Sequence, residues 1–207
     1  MCFGNALHSG SNVVLDPDAD ILKRLAAGDA RRQHQALSTL MERHLQAIKS
    51  LAWYMVRDEM IAEDITQEVF IRAWKQAPKW ESGGAKFSTW LYRVAKNLCY
   101  DHLRKRTEIY SDALPEPVDE TPNAQEGLLA REAHAAQKTR IEAALLKLPA
   151  RQLMAITLCH YQNKSQNEAA AILEVNVRAY ESLLARGRQN LRLQLKAHKK
   201  DIIGDLS

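Results

Sequence analysis

The chain has 207 residues, 46% apolar and 26% charged, with a formal net charge of +4. That apolar share excludes a wholly disordered chain, and the length suits one large or two small domains. No window approaches the roughly 20 apolar residues that a membrane helix needs, and the start, MCFGNALHSGSNVVLDPDAD, lacks the basic opening and long apolar run of a secretory signal, so a cytoplasmic protein without membrane insertion is expected.

Residues 1–18 carry Gly, Ser, Asn and Pro17 without periodicity and read as a flexible N-terminal tail. A short helix is expected from about Ala19 to Ala27, stopped by Gly28. A second spans about Ala30 to Arg57, where Leu37, Leu40, Met41, Leu45, Ile48, Leu51, Ala52 and Met55 recur at three and four. A third covers about Ile61 to Gln76, with Ile61, Ile65, Val69 and Ala73 on one stripe and Pro78 beyond its end. A polar loop, Trp80 to Lys86, then leads into a fourth helix, for which Ser88 is the expected N-cap.

Residues 108–127 hold Pro115, Pro117, Pro122 and Gly127 with six acids and no base, the composition of an extended linker. Helical periodicity resumes near Leu128 and runs to about Lys147. Pro149 opens a further helix, to about Tyr161. In Ser165-Gln166-Asn167-Glu168 the spacing of Ser and Glu is that of a capping box, which starts a helix at Gln166 ending near Leu173. After the turn Glu174-Val175-Asn176 a last helix covers about Val177 to Lys196. No stretch alternates as a strand does, so the fold class is all-α: two small helical domains, 19–107 and 128–207, joined by the acidic linker.

Charge follows this division. Residues 20–107 hold 16 bases against 10 acids, and residues 128–207 hold 13 against seven. Two basic blocks flanking an acidic strip favour a polyanionic partner. The three cysteines, Cys2, Cys99 and Cys159, form no CxxC pair, and the seven histidines show no metal-binding spacing, so no metal or other cofactor is expected. Paired catalytic carboxylates, a nucleophile motif and a phosphate-binding loop are likewise missing, which argues against an enzyme.

On a helical wheel the fourth helix has two faces. Leu91, Val94, Ala95, Leu98 and His102 form a core stripe. Arg93, Asn97, Asp101 and Arg104 form an exposed one, with Tyr92 and Lys96 beside it. Cations attract phosphates whatever the sequence, and an Asn can bond a base edge. In the loop before it, Trp80, Gly83, Gly84, Lys86 and Phe87 are able to enclose an unstacked base. Trp80 fits equally a hydrophobic cluster with Phe87 and Trp90.

The last two helices have helix-turn-helix spacing. Val177, Tyr180, Leu184, Gly187 and Leu191 share the packing face of the second. Arg178, Ser182, Ala185 and Gln189 oppose them, flanked by Glu181, Arg186, Arg188 and Arg192, a pattern suited to a major groove. Gly187 inside a helix costs about 1 kcal/mol and implies a bend or a close approach by a neighbour.

The segments AEDITQEVFIRAWK (62–75) and FSTWLYRVAKNLCYDHLRKR (87–106) resemble region 2 of bacterial extracytoplasmic-function sigma factors. LPARQLMAITL and NEAAAILEVNVRAYESLLARGRQNLR resemble region 4 of the same family. The resemblance implies a subunit that binds core RNA polymerase and directs it to promoter DNA, held inactive by an anti-sigma factor. It implies that Asp64, Gln67, Glu68, Phe70 and Arg72 meet the β′ clamp coiled coil, and that region 4 meets the β flap. It implies that Trp80, Lys86, Arg93, Lys96, Asn97, Asp101, Arg104, Lys105 and Arg106 meet the −10 element, and that Arg178, Glu181, Ser182, Arg186 and Gln189 meet the −35 element. The family's recognition helix commonly opens Gly-Thr-Val-Lys/Arg-Ser-Arg. Here Arg178-Ala179-Tyr180-Glu181-Ser182-Leu183 stand there, so the −35 sequence read is expected to differ. The alternative is a helix-turn-helix regulator that works without being a polymerase subunit, which leaves the 62–106 motifs unexplained.

Overall fold

The computed structural model describes residues 16–27, 29–81, 84–110 and 139–204. Most of the expected tail and linker, and the helix start near Leu128, lie outside these residues. The described chain is helical throughout: α1 (Ala19–Ala27), α2 (Ala30–Val56), α3 (Glu59–Gln76), a 3-10 turn (Ala77–Lys79) and α4 (Phe87–Tyr110) in the first half. The second half holds α5 (residues 139–146), α6 (Ala150–Ile156) continuing into a π-turn (Thr157–Tyr161), α7 (Gln166–Leu173) and α8 (Val177–Gly204).

The ends of these helices follow from local chemistry. Asp29 and Asp58 sit in extended backbone, and their carboxylates accept from the amides of Arg32 and Ile61, so α2 and α3 both start on an aspartate cap. α2 is unbroken and ends at Arg57, whose left-handed backbone (φ 55°) lets its amide donate to Trp53 O. The expected capping box is formed: Ser165 Oγ accepts from the Glu168 amide, and the Glu168 carboxylate accepts from the Ser165 amide. Glu174, also left-handed (φ 57°), closes α7.

Three expectations are corrected. Ser88 is not a cap but lies inside α4, which begins at Phe87. The Phe87 amide donates instead to the Asp16 carboxylate at 2.6 Å, so α4 is capped from 71 residues away. Asp16, Pro17 and Asp18 therefore belong to the fold rather than to a loose tail. Residues 108–110, placed in the linker by composition, complete the last turn of α4.

In the first half, Leu25, Leu40, Ile48, Leu51, Met55 and Leu91 are fully buried between α1, α2 and α4, with Val69 and Ala73 supplied by α3. In the second, Leu145, Met154, Leu158, Ile172 and Tyr180 form the centre. The packing face expected for α8 is present: Tyr180, Leu184 and Gly187 are buried, with Val177 and Leu191 half-buried. Gly187 is a point of close approach. A Cβ there would lie 3.1 Å from Ile156 Cδ1 and 3.3 Å from the backbone oxygen of Gln152.

Both halves contribute to one continuous buried cluster. Across the junction, Tyr54 stacks on Tyr161 with ring centres 3.8 Å apart, the buried Thr157 hydroxyl points at Met55 Sδ (4.0 Å), and Gln162 donates to Ser50 Oγ. Arg57, packed over Trp53 and Tyr54, comes within 3.1 Å of the Glu142 carboxylate.

Asp18 is 1% exposed and accepts from Arg43 (2.6 Å) and His44 (2.8 Å). Burial alone would raise its carboxyl; the bonds from His44 and Arg43 and their charges outweigh burial, and its pKa falls below the ordinary 3.8. A depressed carboxyl contributes stability that is complete above its ordinary value and lost as pH falls through the folded value. Asp18→Asn should therefore lower stability at neutral pH by about 1–3 kcal/mol and flatten the loss of stability below pH 3.8, both read from urea unfolding across pH.

Candidate promoter and polymerase interfaces

α4 carries most of the residues expected to meet the −10 element, and the structure divides them. Asn97, Asp101, Arg104, Lys105 and Arg106 are exposed. Asp101 lies 3.3 Å from Arg104, one turn along, which gives an acid on a cationic face a local partner. Arg93 and Lys96 are not on the open surface expected of them. Lys96 is only 5% exposed, and its ammonium donates to Glu174 (2.6 Å) and to the backbone oxygen of Ile172 (3.3 Å). Arg93 donates through Nε to Ala171 O at 2.9 Å, and its Nη1 lies 4.0 Å from Glu174. Tyr92, beside them, is buried and donates to Gln162 Oε1 (2.9 Å).

The loop before α4 follows the same pattern. Lys86 faces Glu168 at 3.6 Å. Trp80 packs edge-on against Phe87 (5.0 Å) and lies 6.2 Å from Trp90, so its ring joins the hydrophobic cluster. Gly83 lies outside the described residues.

The acids that meet these cations come from α7 and its cap. Glu174 is held below the ordinary carboxyl value chiefly by the Lys96 hydrogen bond and charge. Glu168 is lowered chiefly by the bond from the Ser165 hydroxyl. Lys164 lies 4.3 Å above the Tyr92 ring, and burial lowers its pKa. Burial pushes the Tyr92 phenol up to about 12.

α8 presents its expected reading residues openly. Arg178, Glu181, Ser182, Arg186 and Gln189 are all exposed. Arg186 bonds Ser182 Oγ (3.0 Å) one turn back, fixing the guanidinium along the helix. Arg151, Asn176, Arg178, Ser182 and Arg186 line a shallow groove of about 440 Å³ beside it. Asn176 caps α8, accepting from the Ala179 amide at 2.7 Å.

A third surface lies between α2 and α3. An apolar groove of about 790 Å³ runs past Leu37, Met41, Leu45, Phe70, Ile71 and Trp74. Of the five residues expected to face polymerase, Gln67 and Phe70 line it; Asp64, Glu68 and Arg72 stand outside it, with Arg72 paired to Glu68 at 2.7 Å. Phe70 is mostly buried, whereas Ile71 and Trp74 are 42% and 40% exposed. Neither belongs to the expected set. Their signal was an apolar pair three apart, off the Ile65–Val69–Ala73 stripe.

The pattern of sigma-70 region 2 matches residues 40–109, and that of sigma-70 region 4 matches residues 138–191. The ECF RNA polymerase sigma factor SigW of Bacillus subtilis is 32% identical over 182 residues, covering 84% of this chain and 95% of the relative. The chain belongs to the sigma-70 family, in its extracytoplasmic-function group. SigE of Mycolicibacterium smegmatis is 33% identical over 163 residues and 78% of this chain, which spans 62% of that relative's length. Among solved structures, CnrH in complex with the cytosolic domain of CnrY aligns with a TM-score of 0.64 at 25% identity, covering 88% of this chain and 99% of that one. The sigma factor RpoE with the anti-sigma factor NepR from Bartonella quintana aligns with a TM-score of 0.57 at 26% identity, covering 77% and 96%. Region 2 thus corresponds to α2–α4 and region 4 to α5–α8.

Tyr92→Phe keeps the ring beneath Lys164 and removes only the hydroxyl bond to Gln162. It should lower stability by about 0.5–1.5 kcal/mol, measured as the shift in urea midpoint of the full chain.

Proposed function

We propose that this chain is the promoter-specificity subunit of a bacterial RNA polymerase holoenzyme, acting in the cytoplasm and doing no covalent chemistry itself. The observation that carries this is the presence, in order on one chain, of a region 2 match and a region 4 match whose recognition helix leaves Arg178, Glu181, Ser182, Arg186 and Gln189 free to enter a major groove. Region 4 reads the −35 element with these five residues. Glu181 accepts from a cytosine amino group and repels phosphate, which gives this chain its own −35 preference. Region 4 also meets the β flap.

Region 2 reads and melts the −10 element along α4. Arg93, Lys96, Arg104, Lys105 and Arg106 meet phosphates; Asn97 and Asp101, with Trp80 and Lys86 from the preceding loop, lie toward the unpaired strand. The β′ clamp coiled coil docks on α3, where Asp64, Gln67, Glu68, Phe70 and Arg72 surround the apolar strip of Ile71 and Trp74. An anti-sigma protein controls the chain, a reading supported by its likeness to the sigma factor RpoE solved with the anti-sigma factor NepR.

Run-off transcription with core polymerase across a promoter library tests the reading: promoter-specific transcripts are expected, and none from folded protein would overturn it. Asn97→Ala should abolish promoter opening, read by permanganate reactivity of unpaired thymines, while leaving core binding within about twofold. Trp74→Glu should do the reverse. It should weaken core polymerase binding at least about tenfold, the effect of charging an exposed interface aromatic, with an unchanged urea midpoint because the side chain is 40% exposed.

A further inference from the structure

Two of the α4 cations expected to meet DNA phosphates, Arg93 and Lys96, and Lys86 just before the helix already have partners in region 4. Lys96 meets Glu174 and Ile172 O, Arg93 meets Ala171 O and Glu174, and Lys86 meets Glu168. The carbonyls belong to the last turn of α7, where a helix carries partial negative charge. A helix C-terminus with a carboxylate beside it offers an arginine and a lysine the same class of ligand as a phosphate: several oxygens, net negative.

From this geometry we infer that the end of α7, with Glu174, acts as an internal phosphate mimic that closes region 4 over the region 2 DNA face, so that closure and −10 binding exclude each other. The inference rests on α4 being that DNA face.

Closure is built into the backbone as well as the side chains. Three described non-glycine residues have positive φ, namely Arg57, Asn163 and Glu174, and each lies at the junction. Arg57 reaches Glu142; Asn163 stands between Gln162, which bonds Tyr92 and Ser50, and Lys164, which covers the Tyr92 ring; Glu174 holds Lys96. The π-turn, Thr157–Tyr161, delivers Thr157 to Met55 and Tyr161 to Tyr54. Unfavourable backbone states persist where the surrounding contacts over-determine them, and here those contacts run from one half of the chain to the other.

The junction has two parts that respond differently to solution. Lys86, Arg93 and Glu174 are partly exposed, so their pairing weakens with salt. The Tyr54–Tyr161 stack does not. Because both surfaces belong to one chain, closure competes with DNA as an intramolecular event, and apparent DNA affinity is reduced by the fraction of open molecules.

Glu174→Gly is the decisive variant: glycine accepts the left-handed cap without strain and removes the carboxylate. Glu174→Gln controls for side-chain bulk. In the full-length chain, amine-reactive labelling followed by mass spectrometry reads closure without DNA. Lys96 should label at least about tenfold more slowly than exposed Lys105 in the wild type, and several-fold faster in both variants. A fluorescent single-stranded DNA of about 12 nucleotides, within the range that such surfaces bind, should bind the variants about tenfold more tightly at low salt. Wild-type Lys96 labelling as fast as Lys105 would overturn closure. Faster Lys96 labelling without tighter DNA binding would show that the covered face is not the DNA face and would also remove the −10 reading. Tighter DNA binding with Lys96 still protected would mean that Glu174 acts only as a nearby repelling charge, and the internal mimic would be wrong.

Discussion

A lysine ammonium enclosed by protein must be given oxygens, because an unpaired buried charge costs several kcal/mol. Lys96 is that constraint here. Its position is fixed by α4, whose neighbouring residues Leu91, Ala95 and Cys99 anchor the helix in the region 2 core. Its oxygens come from the far side of the molecule, at the end of α7. The orientation of region 4 against region 2 follows from satisfying it, and Arg93 and Tyr92 on the same face add further bonds in the same direction. What α8 and the α2–α3 groove can meet is set in turn, since both stay open while α4 is covered.

The three proposed surfaces therefore differ in availability. The recognition row of α8 and the apolar groove beside Trp74 are accessible as the molecule stands. The cationic part of α4 is divided: its outer end, Arg104 to Arg106, is exposed, while Arg93 and Lys96 are engaged with region 4. If the groove meets polymerase and α4 the melted strand, as proposed, the first contact requires no rearrangement and the second does.

Much of this was legible in the sequence where the signal is local. The capping box at Ser165, the helix boundaries of α7, the packing face of α8 and the tight site at Gly187 all depend on spacing within one or two turns, and each is found as read. What failed depends on distant partners. Ser88 is a good cap by composition, but the carboxylate of Asp16 takes the amide of Phe87 from 71 residues away. Lys96 and Arg93 fall on the polar side of the α4 wheel, and a wheel reports amphipathicity, not which domain will come to lie on that side. Glu168 and Glu174 read as an N-cap partner and a turn residue; nothing in their neighbourhood indicates that they also face α4. The Ile65–Val69 stripe accounts for the core of α3, and Ile71 and Trp74 form a second apolar edge outside that pattern.

The region 2 pattern begins at residue 40, yet the unit that folds begins earlier. Leu22 and Leu25 of α1 close the core, Asp18 ties α1 to Arg43 and His44, and Asp16 caps α4. An expression fragment trimmed to the matched residues would open that core and strip the first amide of α4 of its acceptor. The natural cutting point for a region 2 fragment is before Asp16, and its insolubility when cut later would reflect the missing lid of α1 rather than any weakness of the segment that defines the family.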